Sequence, residues 1–270
     1  MANTVSNKPN PFVSPRSPGD TVRFSSTSSP LHQIQLTPSA CTEITRHGKL
    51  RISTSPDLAG SSTAANPLLA LNYLAHLHLA ENTAASRVGN LLGDFVPGRP
   101  ESLRDRFPPA VIDGIVRHRA IDRFTDVHPV TLRLKAYLSP KRRRFAGAIT
   151  DIIQDYFLTR RWDEFSSQPF ADFIEACHTA LREHLEYLPA ELGDTLEERI
   201  NERWLEHYGS DDGLDMVFQR VARRSPSFAP IHSAIEDFRQ HRETYAAGFQ
   251  EFYPDLQKWV RDLGPEAQAI

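Results

Sequence analysis

The feature that most constrains the fold is the recurrence of apolar residues at helical spacing from about residue 68 to Leu263, with almost no alternating strand pattern. Proline and glycine divide this stretch into segments of helical length joined by short loops. The sequence therefore predicts one all-α domain, a helical bundle without internal repeats. The predicted helices run from Pro109 to near Pro129, Pro140 to Trp162, Pro169 to Tyr187, Leu196 to His207, Leu214 to Arg224 and Ala229 to Phe252, with a turn at 209–213 and a break at Pro254.

The first 67 residues have a different composition, dominated by Ser, Thr and Pro, with six Lys or Arg and three acidic residues. Few apolar residues recur there in any periodic order, so the segment cannot offset its own ordering entropy. We expect residues 1–67 to be a disordered extension and residues 68–270 to form the helical domain. A cleaved transit peptide and a misassigned start codon are alternative origins of the extension.

Charge and cysteine usage exclude several classes of protein. The formal net charge is −3, whereas nucleic-acid-binding domains are usually strongly basic, so no nucleic-acid partner is expected. No stretch reaches the roughly 18 apolar residues of a membrane helix. Two cysteines are too few for a disulfide framework, which favours a reducing compartment and predicts a cytoplasmic protein.

Polar residues lie on the apolar side of the helix that Pro109 begins. His118, Asp122 and Asp126 are spaced four apart and continue the stripe formed by Val111 and Ile115. A solvated polar stripe would lie on the opposite face. Buried carboxylates are unfavourable unless they are paired or bind a cation, so the stripe indicates a metal site.

The next predicted helix repeats this arrangement, with Asp151 and Asp155 four residues apart in a mostly apolar run. Further upstream, His76 lies in an apolar segment and Asp94 follows a Gly in the stretch GNLLGDF. Imidazole and carboxylate ligands fit a site for Mn²⁺, Mg²⁺ or Fe²⁺ better than they fit a zinc site of the thiolate type. The alternative is structural: a His–Asp ion pair, a packed core histidine, or acids neutralised by the arginines at 117, 119 and 123.

Several stretches resemble the acyl carrier protein phosphodiesterase family. They are LNYLAHLHLA, GNLLGDFVPG, HRAIDRFTD, DIIQDYFLTRRW, WLEHY and FYP, which together span nearly all of the chain from Leu71 onward. The resemblance implies a hydrolase that removes 4′-phosphopantetheine from the serine of acyl carrier protein. It also implies a fold distantly similar to the helical metal-dependent phosphohydrolases that carry a His-Asp motif.

The resemblance further implies a divalent metal, with Mn²⁺ expected first. Its ligands are expected among Asp94, His118, Asp122, Asp126, Asp151 and Asp155, with His76 a weaker candidate. Asp94, His118 and Asp122 are the expected catalytic residues, an Asp of the group accepting a proton from the attacking water. His118 is expected either as a ligand or as the acid that protonates the leaving serine, a choice that stays open at this point.

Two positions depart from the family pattern. Family members begin with Met where this chain has Leu71, which predicts that translation starts there and that the preceding residues are dispensable. Tyr156 stands where the family commonly has His, and a phenol is a poor substitute for an imidazole ligand. This puts a functional role for position 156 in doubt.

A basic run, Lys141 to Arg144, falls in the first turns of a predicted helix, where the helix dipole disfavours cations. Because acyl carrier proteins are acidic, we expect the run to bind the carrier. The partner-binding residues predicted in this way are Lys141, Arg142, Arg143, Arg144, Arg160 and Arg161, with Arg223 and Arg224 as an extension. The alternative is that these cations form solvated faces.

Two other functions are compatible with the same residues. A metal phosphohydrolase acting on a nucleotide or another small phosphoester would keep the Asp/His stripe and would have no use for the basic run. A non-catalytic helical module that binds the carrier is the other, and Tyr156 gives it some support.

Overall fold

A computed structural model describes residues 73–268, and over that range it contains α- and 3-10 helices and no strand. The predicted all-α class is confirmed. The α-helices are α1 (Leu74–Leu79), α2 (Ala84–Leu92), α3 (Pro109–Val127), α4 (Pro129–Lys135), α5 (Ala146–Arg160), α6 (Trp162–Phe165), α7 (Phe170–Glu183), α8 (Ala190–Gly193), α9 (Leu196–Asn201), α10 (Asp211–Arg223), α11 (Ala234–Gln240) and α12 (Arg242–Leu263). Short 3-10 helices cover Pro100–Leu103, Pro140–Phe145, Leu185–Tyr187, His207–Gly209, Pro226–Ser233 and Glu266–Gln268.

The predictions for residues 1–67 and for a start at Leu71 lie outside the described residues, so the domain boundary stays a prediction. Within 73–268, none of the helices has the length and apolarity needed to cross a membrane.

Helix α3 follows the sequence prediction closely. Pro108 is its N-cap and Pro109 its first residue, and the helix ends at Val127, just before His128 and Pro129. Proline suits the first helical position because its missing N–H is not needed there.

The predicted helix from Pro140 to Trp162 is wrong in its first part. Residues Pro140–Phe145 form a 3-10 helix, and α5 begins only at Ala146. Ser139 does not cap this segment through its side chain; its hydroxyl accepts a hydrogen bond from Arg142 instead, at 2.8 Å. The basic run therefore precedes the α-helix.

The predicted break at Pro254 is also wrong, because Pro254 lies inside α12. Proline removes one backbone hydrogen bond, but it occupies the exposed side of this helix, where water can satisfy the freed carbonyl. Its neighbours Phe252, Tyr253 and Leu256 are buried, and their packing holds the helix in place. The predicted turn at 209–213 is shorter than expected, since α10 begins at Asp211 with Ser210 as its N-cap.

Two glycines let α2 and α3 approach each other closely. A Cβ at Gly89 would lie 2.3 Å from the Val111 carbonyl oxygen, and one at Gly114 would lie 2.8 Å from the Ser86 carbonyl oxygen. Arg117 ties α3 to the C-terminal end of the fold by donating to the Val260 and Gly264 carbonyls. This packing sets the position of the remaining side chains of α3.

The core brings α5 against α1 and α12, and α12 against α3, with α2 covering α1 and α3. It contains the fully buried residues Leu74, Leu77, Val111, Ile115, Ile149, Ile153, Phe249 and Phe252. The first turns of α5 and the second half of α3 border an open space beside this core.

Candidate active site

That space is a cavity of about 220 Å³ with two chemically different walls. One wall is polar and carries His76, Asp94, Asp122, Asp126 and Asp151. The other is apolar and is formed by Ile121, Phe252, Tyr253 and Leu256. The cavity therefore offers both charged and apolar contacts to a ligand.

His118 lies on α3 behind the polar wall, with 2% of its surface exposed. Its Nδ1 lies 2.6 Å from the Asn90 carbonyl oxygen, an acceptor that fixes the proton on Nδ1. Its Nε2 lies 3.2 Å from Asp94 Oδ1 and 3.1 Å from Asp122 Oδ2, at ion-pair distance but without the geometry of a well-formed hydrogen bond. A Cβ at Gly93 would lie 2.1 Å from His118 Cγ, so only glycine leaves room for the ring.

His76, on the short helix α1, lies face to face with His118. The ring centroids are 3.7 Å apart and the planes differ by 19°. His76 Nε2 lies 3.2 Å from Asp122 Oδ1, and its buried Nδ1 has no hydrogen-bond partner. Asp122 thus contacts both imidazoles, one through each carboxylate oxygen. We call His76, Asp94, His118 and Asp122 the His–Asp cluster.

The groups of this cluster shift one another's pKa values. Burial lowers the pKa of His76, and the adjacent His118 lowers it further. Burial alone would lower the pKa of His118 as well, but Asp122 and Asp94 raise it to about 10. Burial alone would raise the pKa of Asp122, but the neighbouring His118 holds it below its usual range. The His118 imidazole and the Asp122 carboxylate therefore favour each other's charged form.

The donor set of this cluster fits a divalent cation. One ligand atom each from His76, His118 and Asp122 lies within 4.8 Å of the others. Two stacked imidazoles would repel each other if both were protonated. A pair of buried histidine ligands needs one ring nitrogen on each side chain without a hydrogen-bond partner, and both rings have one. Nitrogen and carboxylate oxygen donors match Mn²⁺, Mg²⁺ or Fe²⁺.

Asp94 and Asp151 flank this group. Asp94 follows α2 and has 28% of its side chain exposed. Asp151 lies on α5 and lines the same cavity. Burial raises the pKa of Asp151 well above its usual value, and the charge of Asp122 adds to the effect. Asp151 is thus close enough to sense the cluster without belonging to its three-ligand group.

Asp126 and Asp155 have other partners. Asp126 lines the cavity, but its side chain is 64% exposed and its Oδ1 lies 2.8 Å from Lys135 Nζ. Asp155 is fully buried, and its two oxygens accept hydrogen bonds from the backbone N–H groups of Leu74 and Ala75. It therefore holds the start of α1, the helix that carries His76. Burial raises the pKa of Asp155 to about 7, opposed by those two N–H donors.

The basic run does not form one surface. Lys141, Arg143 and Arg144 are exposed, but Arg142 is 1% exposed, so the prediction of four surface cations is wrong for Arg142. Its guanidinium donates to the Pro230 carbonyl and the Ser139 hydroxyl and pairs with Asp237 at 2.8 Å. We call these four residues the Arg142 cluster. The sequence could not reveal it, because Pro230 and Asp237 lie some 90 positions away from Arg142 along the chain.

Arg160 and Arg161 also have local partners. Arg160 is exposed, donates to the Gly209 carbonyl and lies over the Tyr156 ring. Arg161 forms a two-bond pair with Glu164. Their role in carrier binding stays a prediction.

Tyr156 lies away from the cavity, in a separate network. Its hydroxyl donates to Asp211 Oδ1 at 3.0 Å and accepts from Arg242 at 2.9 Å, and Arg242 also pairs with Asp211. It is not among the cavity-lining residues. The presence of tyrosine instead of histidine at this position therefore does not remove a ligand from the His–Asp cluster.

Sequence reasoning missed three contributors to the site. Asn90 acts through its backbone carbonyl, Gly93 through its lack of a side chain, and Lys135 through a contact with Asp126. A glycine directly before Asp94 was a visible signal for the second. Nothing in the local sequence distinguishes the other two.

Comparisons with known proteins identify relatives of the chain. The profile of a family described as "Acyl carrier protein phosphodiesterase" matches residues 71–256. Curated proteins named acyl carrier protein phosphodiesterase are similar to the chain: one from Yersinia enterocolitica is 35% identical over 193 residues, covering 71% of this chain and 98% of its own. One from Yersinia pestis is 33% identical (70% and 96% covered), and one from Enterobacter sp. strain 638 is 35% identical (69% and 95% covered).

No solved structure matches the chain. The matched region contains the whole His–Asp cluster, Asp151 and both walls of the cavity. On these grounds the chain belongs to the acyl carrier protein phosphodiesterase family.

Proposed function

We propose that this protein is a metal-dependent hydrolase that cleaves the phosphodiester between 4′-phosphopantetheine and the serine of acyl carrier protein. The observation that carries the proposal is the His–Asp cluster, in which Nε2 of His118 lies close to two carboxylates and the buried Nδ1 of His76 has no hydrogen bond, beside a cavity. Family membership supplies the substrate. A cytoplasmic location is part of the proposal and is supported by Cys177, a buried free thiol.

His76, His118 and Asp122 would hold the ion, with Mn²⁺ expected first. Asn90 supports a ligand role for His118, since its carbonyl pairs with Nδ1 and leaves Nε2, beside Asp94 and Asp122, as the nitrogen that would bind the ion. A bound divalent ion would withdraw charge from the phosphoryl oxygens and make water a stronger nucleophile.

The chain's own carboxyl groups move the protons. Asp94, partly exposed beside His118 Nε2, is placed to accept the proton that the attacking water loses. Asp151 lines the same cavity and pairs with none of the described residues, which leaves it available to donate a proton to the departing serine oxygen. Water thus adds to phosphorus, the P–O bond to serine breaks, and serine regains its hydroxyl.

The carrier would approach over the exposed cations at 141, 143 and 144. These residues directly precede α5, whose residues Gly147 and Ala148 line the cavity. An acidic partner bound there would present its prosthetic group to the cavity mouth, and opposite charges would also speed association.

The test is mass spectrometry of holo-acyl carrier protein after incubation with the full-length protein and Mn²⁺. We expect the carrier to lose 4′-phosphopantetheine, and a chelator or Asp122→Ala to abolish the loss. Reversing Lys141, Arg143 and Arg144 to Glu should slow this reaction about tenfold while sparing a small chromogenic phosphodiester. An unchanged carrier, with the protein folded and Mn²⁺ bound, would refute the carrier as substrate and favour a small phosphoester.

A further inference from the structure

Lys135, the last residue of α4, does not itself line the cavity, but its ammonium group contacts a residue that does. Its side chain is 19% exposed, and its Nζ lies 2.8 Å from Asp126 Oδ1. A methyl group at Gly147 would lie 3.9 Å from the same Nζ. Asp126 and Gly147 both line the cavity, one from α3 and one from α5.

Most of this ammonium's hydrogen-bonding capacity is unused. An ammonium has three donors, and among the described residues Lys135 Nζ contacts only Asp126. By contrast, the pair between Lys258 and Asp262 on α12 has 68% and 60% of its side chains exposed, so water serves its free donors. Lys135 is less exposed than Lys258, but its hydrogen bond with Asp126 is also open to solvent, so its two remaining donors are available to water or to a ligand.

The cavity lining is rich in carboxyl groups, so an anionic phosphodiester bound there would need a nearby cation. Its polar wall carries four carboxyl groups, Asp94, Asp122, Asp126 and Asp151, and a phosphodiester adds another negative charge. An ion in the His–Asp cluster would balance the charge beside α1 and α3 only. The α5 side has Lys135, whose charge also opposes the rise in the pKa of Asp151.

We propose that Lys135 is a substrate-binding residue that contacts the phosphodiester from the α5 side, while Asp126 holds its ammonium group in position. The inference rests on the proposed function for the identity of the diester. The substrate phosphate then lies between the His–Asp cluster and Lys135, with Asp126 paired to lysine and excluded from the ion.

A purely structural role is the alternative. An exposed ion pair contributes about 0–1 kcal/mol or less to stability, and Asp126 is mostly exposed, so the pair adds little to the fold. The two roles predict different results for phosphate binding. Loss of a substrate-binding lysine weakens phosphate affinity, whereas loss of a purely structural lysine leaves it unchanged.

The experiment compares wild type with Lys135→Gln, Lys135→Arg and Lys258→Gln, all loaded with Mn²⁺. Calorimetry with inorganic phosphate reports binding without turnover, and steady-state kinetics on holo carrier and on a chromogenic phosphodiester report KM and kcat. We expect Lys135→Gln to weaken phosphate binding and raise KM for both substrates by about 10–100-fold, with Mn²⁺ affinity unchanged. Lys135→Arg should recover most of the loss, and Lys258→Gln should equal wild type.

Equal phosphate affinity in wild type and Lys135→Gln would overturn the inference, and so would a loss of Mn²⁺ binding in Lys135→Gln. Should Lys135→Gln fail to fold, Asp126→Asn decides the matter, since it keeps the ammonium and loosens its position. It should weaken phosphate binding severalfold, and an unchanged affinity would also overturn the inference. Inactivity of wild type toward the carrier, with phosphate binding still dependent on Lys135, would refute the carrier substrate alone.

Discussion

The His–Asp cluster and the Arg142 cluster both bury charged side chains, yet they differ in how their polar atoms are satisfied. In the Arg142 cluster, the guanidinium contacts a hydroxyl, a carbonyl and a carboxylate, and Asp237 also accepts from the Ser139 backbone N–H. In the His–Asp cluster, one buried nitrogen of each imidazole has no hydrogen bond. Residue type alone does not separate a structural ion pair from a site; unsatisfied buried polarity beside a cavity does.

The two clusters should therefore affect different properties of the protein, stability in one case and catalysis in the other. The Arg142 cluster joins the 139–142 segment to the 230–237 segment and should contribute to stability. The His–Asp cluster should contribute to catalysis and ion binding, and its groups favour the folded state less because they repel or lack partners. Four measurements test this division.

The largest expected effect comes from Asp122→Asn. The amide keeps the shape of the carboxylate but removes the negative charge that both imidazoles share. We expect kcat/KM on holo carrier to fall by at least about 10³-fold and Mn²⁺ binding to be lost, because an ion at this point stabilises transition-state charge by several kcal/mol. Circular dichroism should show an unchanged helical content. Activity within tenfold of wild type would contradict the assignment.

Arg142→Met should reverse this pattern. Removing the guanidinium leaves Asp237 buried without its cation, which should reduce the free energy of unfolding by about 3–5 kcal/mol. Urea denaturation measures this loss. The folded fraction should keep wild-type Mn²⁺ affinity and a kcat within about twofold. Arg143→Met, at an exposed neighbouring position, is the matched control for stability and should leave the free energy of unfolding unchanged.

Gly93→Ala tests the packing behind the cluster. The new methyl group would overlap the His118 ring, which must then shift away from the Asn90 carbonyl. Changes to the groups that orient a ligand typically reduce metal affinity about 10–100-fold, and we expect a loss of that size here. Gly147→Ala is the control for Mn²⁺ affinity, because its added Cβ makes only ordinary van der Waals contacts. Equal Mn²⁺ affinity in the two variants would argue against His118 as a ligand.

The smallest expected effect is a pH dependence of the metal-free protein. Asp122 and Asp94 raise the pKa of His118 to about 10, above the value of about 6.5 expected in the unfolded chain. The folded state therefore binds this proton more tightly, and the stabilisation is complete below pH 6.5 and lost as the pH rises toward 10. With chelator present, the free energy of unfolding should fall by about 1–3 kcal/mol between pH 6.5 and 9. His118→Gln should flatten the profile; an equally steep profile would contradict this origin.

Local signals in the sequence predicted much of the fold. Pro109 marked the start of α3, and the four-residue spacing placed His118 and Asp122 on its buried side. The predicted break at Pro254 was wrong because a proline can either end a helix or lie on its exposed side. Only the packing of Phe252 and Leu256 decides between these two outcomes.

The site was harder to predict because proximity, not residue type, defines it. Asp151 and Asp155 have the same spacing as a ligand pair, but Asp155 accepts two backbone N–H groups from α1. Asp126 is four residues from Asp122, yet the α3 helix ends beside it and Lys135 reaches it from α4. Such pairings depend on tertiary contacts that the periodicity of one segment does not contain.

The most direct test of the central claim is anomalous diffraction from crystals of the full-length protein grown with Mn²⁺. The account predicts one anomalous peak about 2.1 Å from a ring nitrogen of His76, from Nε2 of His118 and from an oxygen of Asp122, with the Lys135–Asp126 pair intact. A peak bound by Asp126 and Asp151, or no peak in crystals of protein that binds Mn²⁺ in solution, would contradict it.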